Sequence, residues 1–81
     1  MAIGSAPNIL LIEDDEDIAA TIIYALEREH YSVDHCTTGI AAEQSWNENP
    51  VDVAILDVGL PDQTGFELCR KLKAVHPDRP V

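Results

Sequence analysis

One short stretch, from Val53 to Gly65, constrains most strongly how this chain can fold. It begins with four apolar residues that end at Leu56, continues with the carboxylate of Asp57, and then turns through a loop that contains glycine and proline. An apolar run of this length, bounded by turn residues, is typical of a strand that is buried on both faces of a parallel sheet. We therefore predict a buried strand with Asp57 at its carboxyl end.

A second apolar run, residues 9–12, has the same character and leads into five consecutive acidic residues. The last three of these, Asp15, Glu16 and Asp17, are explained by the helix that follows. Carboxylates in the first turn of a helix interact favourably with the positive end of its dipole. Only Glu13 and Asp14 then remain as candidates for a site at the end of this strand.

Two amphipathic helices are predicted from apolar residues at helical spacing. The first is expected to end at about Glu29, with His30 as a turn residue, and the last to begin at Gly65 and end before His76. The apolar stripe of the first helix consists of Ile18, Ala19, Ile22, Ile23 and Leu26. The buried side of the last helix is expected to consist of Phe66, Cys69, Leu72 and the stem of Lys73.

Between these helices, residues 31–36 alternate imperfectly between apolar and polar, as an edge strand does. The two faces of this strand carry Val33 and His35 on one side and Asp34 and Cys36 on the other. Residues 40–48 are predicted to form a helix in which Trp46 is a packing residue. Residues 79–81, an Arg-Pro-Val segment, look like the approach to another strand.

Strands that alternate with helices at this spacing predict an α/β fold with a doubly wound parallel sheet. At 81 residues the chain is one domain at most. Residues 1–7 are small and unpatterned, and we expect them to be a leader or a remnant of cloning. The folded part is then residues 8–81.

The order of the strands determines where a site would lie. If the first and third strands are neighbours and the second lies outside the first, the helical connections leave the first and third strands towards opposite faces. Open α/β sheets place their ligands at such a point, outside the carboxyl ends of the strands. Glu13, Asp14 and Asp57 are expected to converge there.

Three carboxylates that converge repel one another, so they require a cation, protonation or full solvation. Oxygen ligands select a hard ion, and Mg²⁺ suits a shallow site because it keeps several waters and binds phosphate oxygens. Such a site would support phosphoryl transfer with Asp57 as the nucleophile. Residue chemistry alone leaves open the alternative that the acidic cluster only caps a helix.

Charge and composition exclude several other functions. The chain has 15 Asp and Glu against 5 Lys and Arg, a formal charge of -10, which argues against direct binding to nucleic acid or an anionic membrane. No apolar run approaches the roughly 18 residues of a membrane span, so we expect a soluble, cytoplasmic protein. Cys36 and Cys69 lack metal or disulfide spacing and are expected to be free thiols.

Three motifs, in this order and spacing, resemble the receiver domain of two-component response regulators. They are Ile-Leu-Leu-Ile-Glu-Asp-Asp at 9–15, Val-Ala-Ile-Leu-Asp at 53–57 and Leu-Pro-Asp-Gln-Thr-Gly at 60–65. The run at 57–70 is also similar to DNA-binding regulators of the winged-helix output class. The resemblance implies a flavodoxin-like fold, and residues 8–81 would be its N-terminal part, with three strands in the order 2-1-3 and three helices.

The resemblance also implies roles for individual residues. Asp57 matches the phosphoacceptor, which takes a phosphoryl group from a histidine on a sensor kinase. Asp14 would bind Mg²⁺ directly, Glu13 would bind it through water, and the backbone carbonyl of Gly59 would be a further ligand. Such a domain is not an enzyme in the ordinary sense, and at most assists its own phosphorylation and dephosphorylation. A non-phosphorylated interaction domain of the same fold is the alternative, and a metal-dependent phosphatase is disfavoured because Asp15 and Asp17 lie past the strand end.

Several positions of the family have no counterpart in these 81 residues. They are the hydroxyl residue after strand four, the lysine after strand five and the aromatic switch residue. We therefore expect a chain that keeps the metal-binding half of the site but does not complete phosphosignalling alone, and that meets DNA only through an output domain outside this sequence. Its third strand would have an unpaired outer edge, which favours self-association.

Overall fold

Strands and helices alternate along the chain, as the sequence predicts. The computed structural model describes residues 7–57 and 59–81, and the expected leader lies outside these ranges except for Pro7. The elements are β1 (Asn8–Ile12), α1 (Glu16–Arg28), β2 (Ser32–Cys36), α2 (Gly39–Glu48), β3 (Val53–Leu56) and α3 (Gly65–Val75). Each predicted element is present.

The three strands form one parallel sheet in the order β2-β1-β3. Leu10 in the central strand pairs with Asp34 on one side and Ala54 on the other. The predicted order 2-1-3 is therefore confirmed. The carboxyl ends of β1 and β3 lie side by side, since Ile12 pairs with Leu56.

The main core lies on the face of the sheet that α2 and α3 cover. Trp46 is fully buried there, and its Nε1 donates a hydrogen bond to the Leu72 carbonyl at 2.9 Å. The expectation that Trp46 is a packing residue is confirmed. Buried residues of this cluster are Leu10, Ile12, Ala42, Trp46, Val51, Ala54, Leu68 and Leu72.

The opposite face of β1 carries Ile9 and Leu11, which are also buried. They point away from the main core because side chains alternate along a strand. The only buried residue of α1 is Ala19. Ile18 was expected in the buried stripe but is 50% exposed, whereas the next residue, Ala19, is fully buried. Successive side chains on a helix point about 100° apart, and α1 turns its Ala19 side to the interior.

The helix ends follow local capping chemistry. The Asp15 carboxylate accepts hydrogen bonds from the backbone N–H groups of Asp17 and Ile18 at 2.9 and 3.1 Å, which confirms its capping role. Thr64 and Glu67 form a reciprocal capping box at the start of α3. His30 has a φ of 69°, and this left-handed conformation turns the chain after α1.

The buried side of α3 differs from the prediction. Leu68 and Leu72 are fully buried, whereas Phe66 is 71% exposed and Cys69 is only partly buried. Leu68 and Leu72 are four residues apart and face the main core. The buried face of α3 is therefore the one that carries these two leucines, and not the predicted face with Phe66 and Cys69. Phe66 and Cys69 instead line a groove beside β3.

This groove, which we call the β3 groove, has a volume of about 420 Å³. Its lining residues are Ala54, Ile55, Leu56, Gly65, Phe66, Cys69 and Val81. At one end of the groove the backbone N–H of Ala54 donates to the Pro80 carbonyl at 3.0 Å. This bond places Pro80 at the outer edge of β3, in line with the prediction that residues 79–81 approach a strand, although these residues form no strand themselves.

None of the helices in the described ranges has the length and apolar character needed to cross a membrane.

Candidate functional site

Three acidic side chains meet at the carboxyl edge of the sheet. Glu13 and Asp14 follow β1, and Asp57 follows β3. The Asp57 backbone N–H donates to the Ile12 carbonyl at 3.0 Å, which extends the pairing of the two strands by one residue. One carboxylate oxygen from each acid lies within 4.8 Å of the others. The structure thus brings together the three acids that the sequence singles out.

Glu13 is nearly buried, with 8% of its surface exposed. Its backbone N–H donates to the Cys36 carbonyl at 3.0 Å, and its own carbonyl oxygen lies 2.8 Å from Nε2 of His35. Its carboxylate accepts a hydrogen bond from the Asp15 N–H at 3.0 Å. A buried carboxylate needs such a partner, and here the N-cap residue of α1 provides it, while β2 binds the Glu13 backbone.

The other two acids face water to different degrees. Asp14 is exposed and Asp57 is partly buried. Oxygen ligands of one Mg²⁺ ion, each about 2.1 Å from it, lie roughly 3 to 4 Å apart. The observed spread of up to 4.8 Å fits such an ion if one carboxylate binds through water. The donor set, made only of oxygens and partly open to solvent, therefore fits a hydrated hard cation.

Gly59 lies on the loop after β3. It pairs with Thr64 in an isolated antiparallel bridge, which turns the loop back to the first residue of α3. A Cβ added at Gly59 would meet no other heavy atom within 4 Å, and its φ is not positive. The space beside this residue is therefore open, and a side chain at this position would meet no steric obstacle.

The sequence did not predict the role of Asp62, a residue of the loop after β3. The Asp62 carboxylate accepts hydrogen bonds from the backbone N–H groups of Gly39 and Ile40 at 2.8 and 3.0 Å. These bonds lower the pKa of Asp62, and the bond from Gly39 has the largest effect. Asp62 therefore caps α2 from a loop more than twenty residues away, and no local pattern in the sequence identifies that partner.

Gln63 extends this link between the loop and α2. Its side chain lies against Gly39, where an added Cβ would collide with it. Its Nε2 donates to Glu43 at 3.1 Å, and its Oε1 accepts from Lys71 Nζ at 3.0 Å. We call the contacts of Asp62 and Gln63 with α2 the loop brace. The glycine at position 39 is the sequence signal for this contact, because any larger residue would collide with the Gln63 side chain.

Both cysteines are free thiols, as predicted. Cys36 ends β2 and packs against the main core. Burial, and to a lesser extent the Asp34 carboxylate, raises the pKa of its thiol. The Cys36 thiol is thus kept protonated and takes no part in the acidic site.

The sequence matches the family described as the response regulator receiver domain over residues 9–81. The transcriptional regulatory protein CreB of Escherichia coli (strain K12) is 45% identical over 74 residues, which cover 91% of this chain and 32% of CreB. The chain therefore spans about a third of the length of this curated relative.

Solved structures agree with this result. The non-phosphorylated HemR receiver domain of Leptospira biflexa is 38% identical, with a TM-score of 0.85, and the match covers 91% of this chain and 60% of that one. A structure of the histidine kinase ThkA in complex with the response regulator TrrA matches with 25% identity and a TM-score of 0.85, over 89% of this chain and 62% of that one.

The family match, the identity to these relatives and the order of the strands agree with one another. Receiver domains of this family are phosphoacceptors, and an acidic pocket is their general metal site. The three acids of this chain form an acidic cluster at the carboxyl edge of its sheet. The chain belongs to the receiver domain family of two-component response regulators.

Proposed function

We propose that Asp57 accepts a phosphoryl group from a histidine of a sensor kinase, with Mg²⁺ held by Glu13, Asp14, Asp57 and the backbone carbonyl of Gly59. The observation that carries this proposal is the convergence of the three carboxylates within 4.8 Å at the carboxyl edge of the sheet. A structural role alone gives no reason to gather like charges at this point. Residues 8–81 then act as the N-terminal part of a receiver domain.

The transfer is a displacement at phosphorus. A carboxylate oxygen of Asp57 attacks the phosphorus atom, the bond from phosphorus to the histidine nitrogen breaks, and its electron pair stays on that nitrogen. Mg²⁺, when bound, would neutralise charge on the transferring oxygens. The bond from the Asp57 N–H to Ile12 holds the backbone of the nucleophile at the strand end, and Glu13 and Asp14 follow the neighbouring strand β1. Asp57 thus serves as an acceptor that is modified, not as an enzyme for a separate substrate.

The family indicates the partners. The ThkA and TrrA complex pairs a histidine kinase with a response regulator, and we propose that a sensor histidine kinase is the phosphodonor here. CreB is a transcriptional regulator, so contact with DNA is assigned to a separate output domain. The formal charge of -10 supports the absence of direct DNA or membrane binding by this chain. A cytoplasmic location is part of the same proposal and agrees with the two free thiols.

We further propose that the 81-residue chain associates with itself through the outer edge of β3. The β3 groove is apolar along most of its length and contains the exposed ring of Phe66. Within the described residues, the backbone hydrogen bond that reaches this edge is the one from Ala54 to Pro80. A second copy that packs along the edge would cover both apolar surface and backbone polar groups.

The metal and phosphoryl roles are tested together. Mg²⁺ binding is measured by calorimetry, and phosphorylation by intact mass after exposure to a small phosphodonor such as acetyl phosphate. Wild type should bind Mg²⁺ and gain a phosphoryl group. Asp57→Asn should lose both, and Asp14→Asn should lose Mg²⁺ binding. Asp78→Asn, an exposed acid beyond the far end of α3, is the matched control and should behave as wild type.

Two results would contradict the proposal. A phosphoryl group found on Asp57→Asn would place the acceptor elsewhere. No Mg²⁺ binding by wild type would favour a non-phosphorylated interaction domain of the same fold. Normal, long-lived phosphorylation of the 81-residue chain would refute the narrower expectation that it does not complete phosphosignalling alone.

A further inference from the structure

His35 contacts the acidic site although no motif assigns it a role. It is the penultimate residue of β2 and lies beside Leu11 of β1 in the strand register. Its side chain reaches past the end of β1, where Nε2 lies 2.8 Å from the Glu13 carbonyl oxygen. The next residue, Cys36, accepts the Glu13 N–H at 3.0 Å through its carbonyl. β2 therefore holds both backbone polar groups of Glu13.

This contact defines the protonation of the imidazole ring. A carbonyl oxygen only accepts hydrogen bonds, so Nε2 of His35 must carry the hydrogen. In the neutral ring, Nδ1 is then unprotonated. Glu13 in turn accepts the Asp15 N–H through its side chain at 3.0 Å. A continuous set of hydrogen bonds thus runs from His35 through Glu13 to the capping residue of α1.

The hydrogen bond from His35 restrains the peptide between Glu13 and Asp14. The Glu13 carbonyl belongs to that peptide, so a donor fixed on this oxygen limits rotation of the whole unit. Asp14 is exposed and has no described side-chain hydrogen bond of its own to orient it. Its direction therefore depends on the backbone immediately before it.

We propose that His35 is a positioning residue of the acidic site, which aims Asp14 and Glu13 at the metal by holding the Glu13 carbonyl. The inference rests on the proposed metal site and adds a residue from β2 to it. Groups that hydrogen-bond to metal ligands contribute strongly to metal affinity in proteins, and their loss weakens binding by about tenfold or more. His35 would act in this way through the backbone of one ligand.

The test compares two substitutions at His35 with one control. His35→Leu removes the donor, whereas His35→Gln keeps an N–H group that reaches the same carbonyl. Val33→Ala, two residues earlier on the same face of β2, changes packing without touching Glu13. Mg²⁺ affinity is measured by calorimetry and by the amide shifts of Asp14 and Asp57. We expect about tenfold weaker binding in His35→Leu, near wild-type binding in His35→Gln, and no change in Val33→Ala.

A spectroscopic measurement on the metal-free protein supports the same comparison. Long-range ¹H–¹⁵N spectra of wild type should show a hydrogen on Nε2 of His35. A His35 ring without a hydrogen on Nε2, wild-type affinity in His35→Leu, or equal loss in His35→Leu and His35→Gln would each overturn the inference. Failure of the proposed function is recognised separately, because wild type itself would then show no Mg²⁺ binding.

Discussion

Glu13, Asp14 and Asp57 carry the same charge but are held in different ways. Glu13 is nearly buried and hydrogen-bonded on its backbone and side chain, whereas Asp14 faces solvent. Asp57 lies between these extremes and is fixed mainly through its backbone N–H. Glu13 and Asp14, which differ most in exposure, are adjacent in sequence. The site therefore combines one carboxylate that is held by hydrogen bonds, Glu13, with one that faces solvent, Asp14.

The repulsion among these acids leads to a stability prediction. Without Mg²⁺ at low salt, Asp57→Asn should raise the free energy of unfolding by about 1 kcal/mol, the energy of two like charges roughly 4 Å apart in water. With Mg²⁺ at about 100 times its Kd, wild type should gain about 2.7 kcal/mol, and the variant much less. The order of stability should therefore reverse. Urea denaturation measures both cases, and Asp78→Asn is the control.

Two results would contradict the predicted reversal in the order of stability of wild type and Asp57→Asn. If Mg²⁺ stabilises wild type and Asp57→Asn equally, Asp57 is not a ligand. If Asp57→Asn is less stable than wild type without Mg²⁺, the three carboxylates do not repel one another appreciably.

At the scale of elements, the loop brace connects the loop after β3 to α2. Asp62 accepts two N–H groups at the first turn of α2, where the positive end of the helix dipole also favours a negative charge. Thr38 caps the same helix by accepting the Ala41 N–H at 3.2 Å. The start of α2 is therefore held by one residue of its own and by one from the loop that follows Asp57.

The lowered pKa of Asp62 predicts a pH dependence. Its pKa in the folded chain lies below the usual value for an aspartate, so its carboxylate stabilises the fold at neutral pH. This contribution is full above the unfolded pKa and is lost as the pH falls through the folded pKa. Asp62→Asn should be less stable than wild type at pH 7, and the difference should shrink towards zero at lower pH. Urea denaturation across this pH range provides the measurement.

The control for Asp62 is Asp78→Asn, which should change stability little at any pH. A stability difference between Asp62→Asn and wild type that stays constant from neutral to acidic pH would show that the Asp62 charge is not the cause.

The helices and strands illustrate what could be predicted from sequence. The strands, and the acids at their carboxyl ends, follow from short apolar runs that end in acids, a local pattern. The order of the strands, which brings Asp57 beside Glu13, was predicted only from the resemblance to receiver domains. The buried side of α3 was predicted wrongly because Leu72 belongs to two possible apolar stripes on this helix. One contains Phe66 and Cys69, and the other contains Leu68, and only packing against the core decides between them. The partner of Asp62 is likewise set by tertiary contact, since 23 residues separate it from Gly39.

At the scale of the whole molecule, the two long edges of the sheet differ. On the β2 side, Asp34 accepts hydrogen bonds from Ser45 and Asn49 at 3.1 and 3.3 Å, so that edge carries a polar network. On the β3 side, the β3 groove is lined mainly by apolar residues. Polar groups protect an edge strand from pairing with other chains, and the β3 side lacks that protection among the residues described.

This asymmetry leads to a prediction for self-association. In sedimentation velocity or light scattering, wild type should grow in mass with concentration, and Phe66→Ser should reduce this growth. Ile40→Ser is a matched control, because Ile40 is exposed to a similar extent, 68% against 71% for Phe66, but lies on α2 away from the groove. Equal growth in both variants would place the contact elsewhere, and a monodisperse wild-type monomer would refute self-association.

The contact between Arg79 and Trp46 has a practical consequence. The Arg79 guanidinium lies 4.9 Å from the centre of the indole ring and donates to the Trp46 carbonyl at 2.7 Å. The next residue, Pro80, is the one that reaches β3. Because the sequence contains a single tryptophan, its fluorescence comes from one site without labelling. The emission of this chain is therefore a built-in optical probe of whether the segment beside β3 is docked or released.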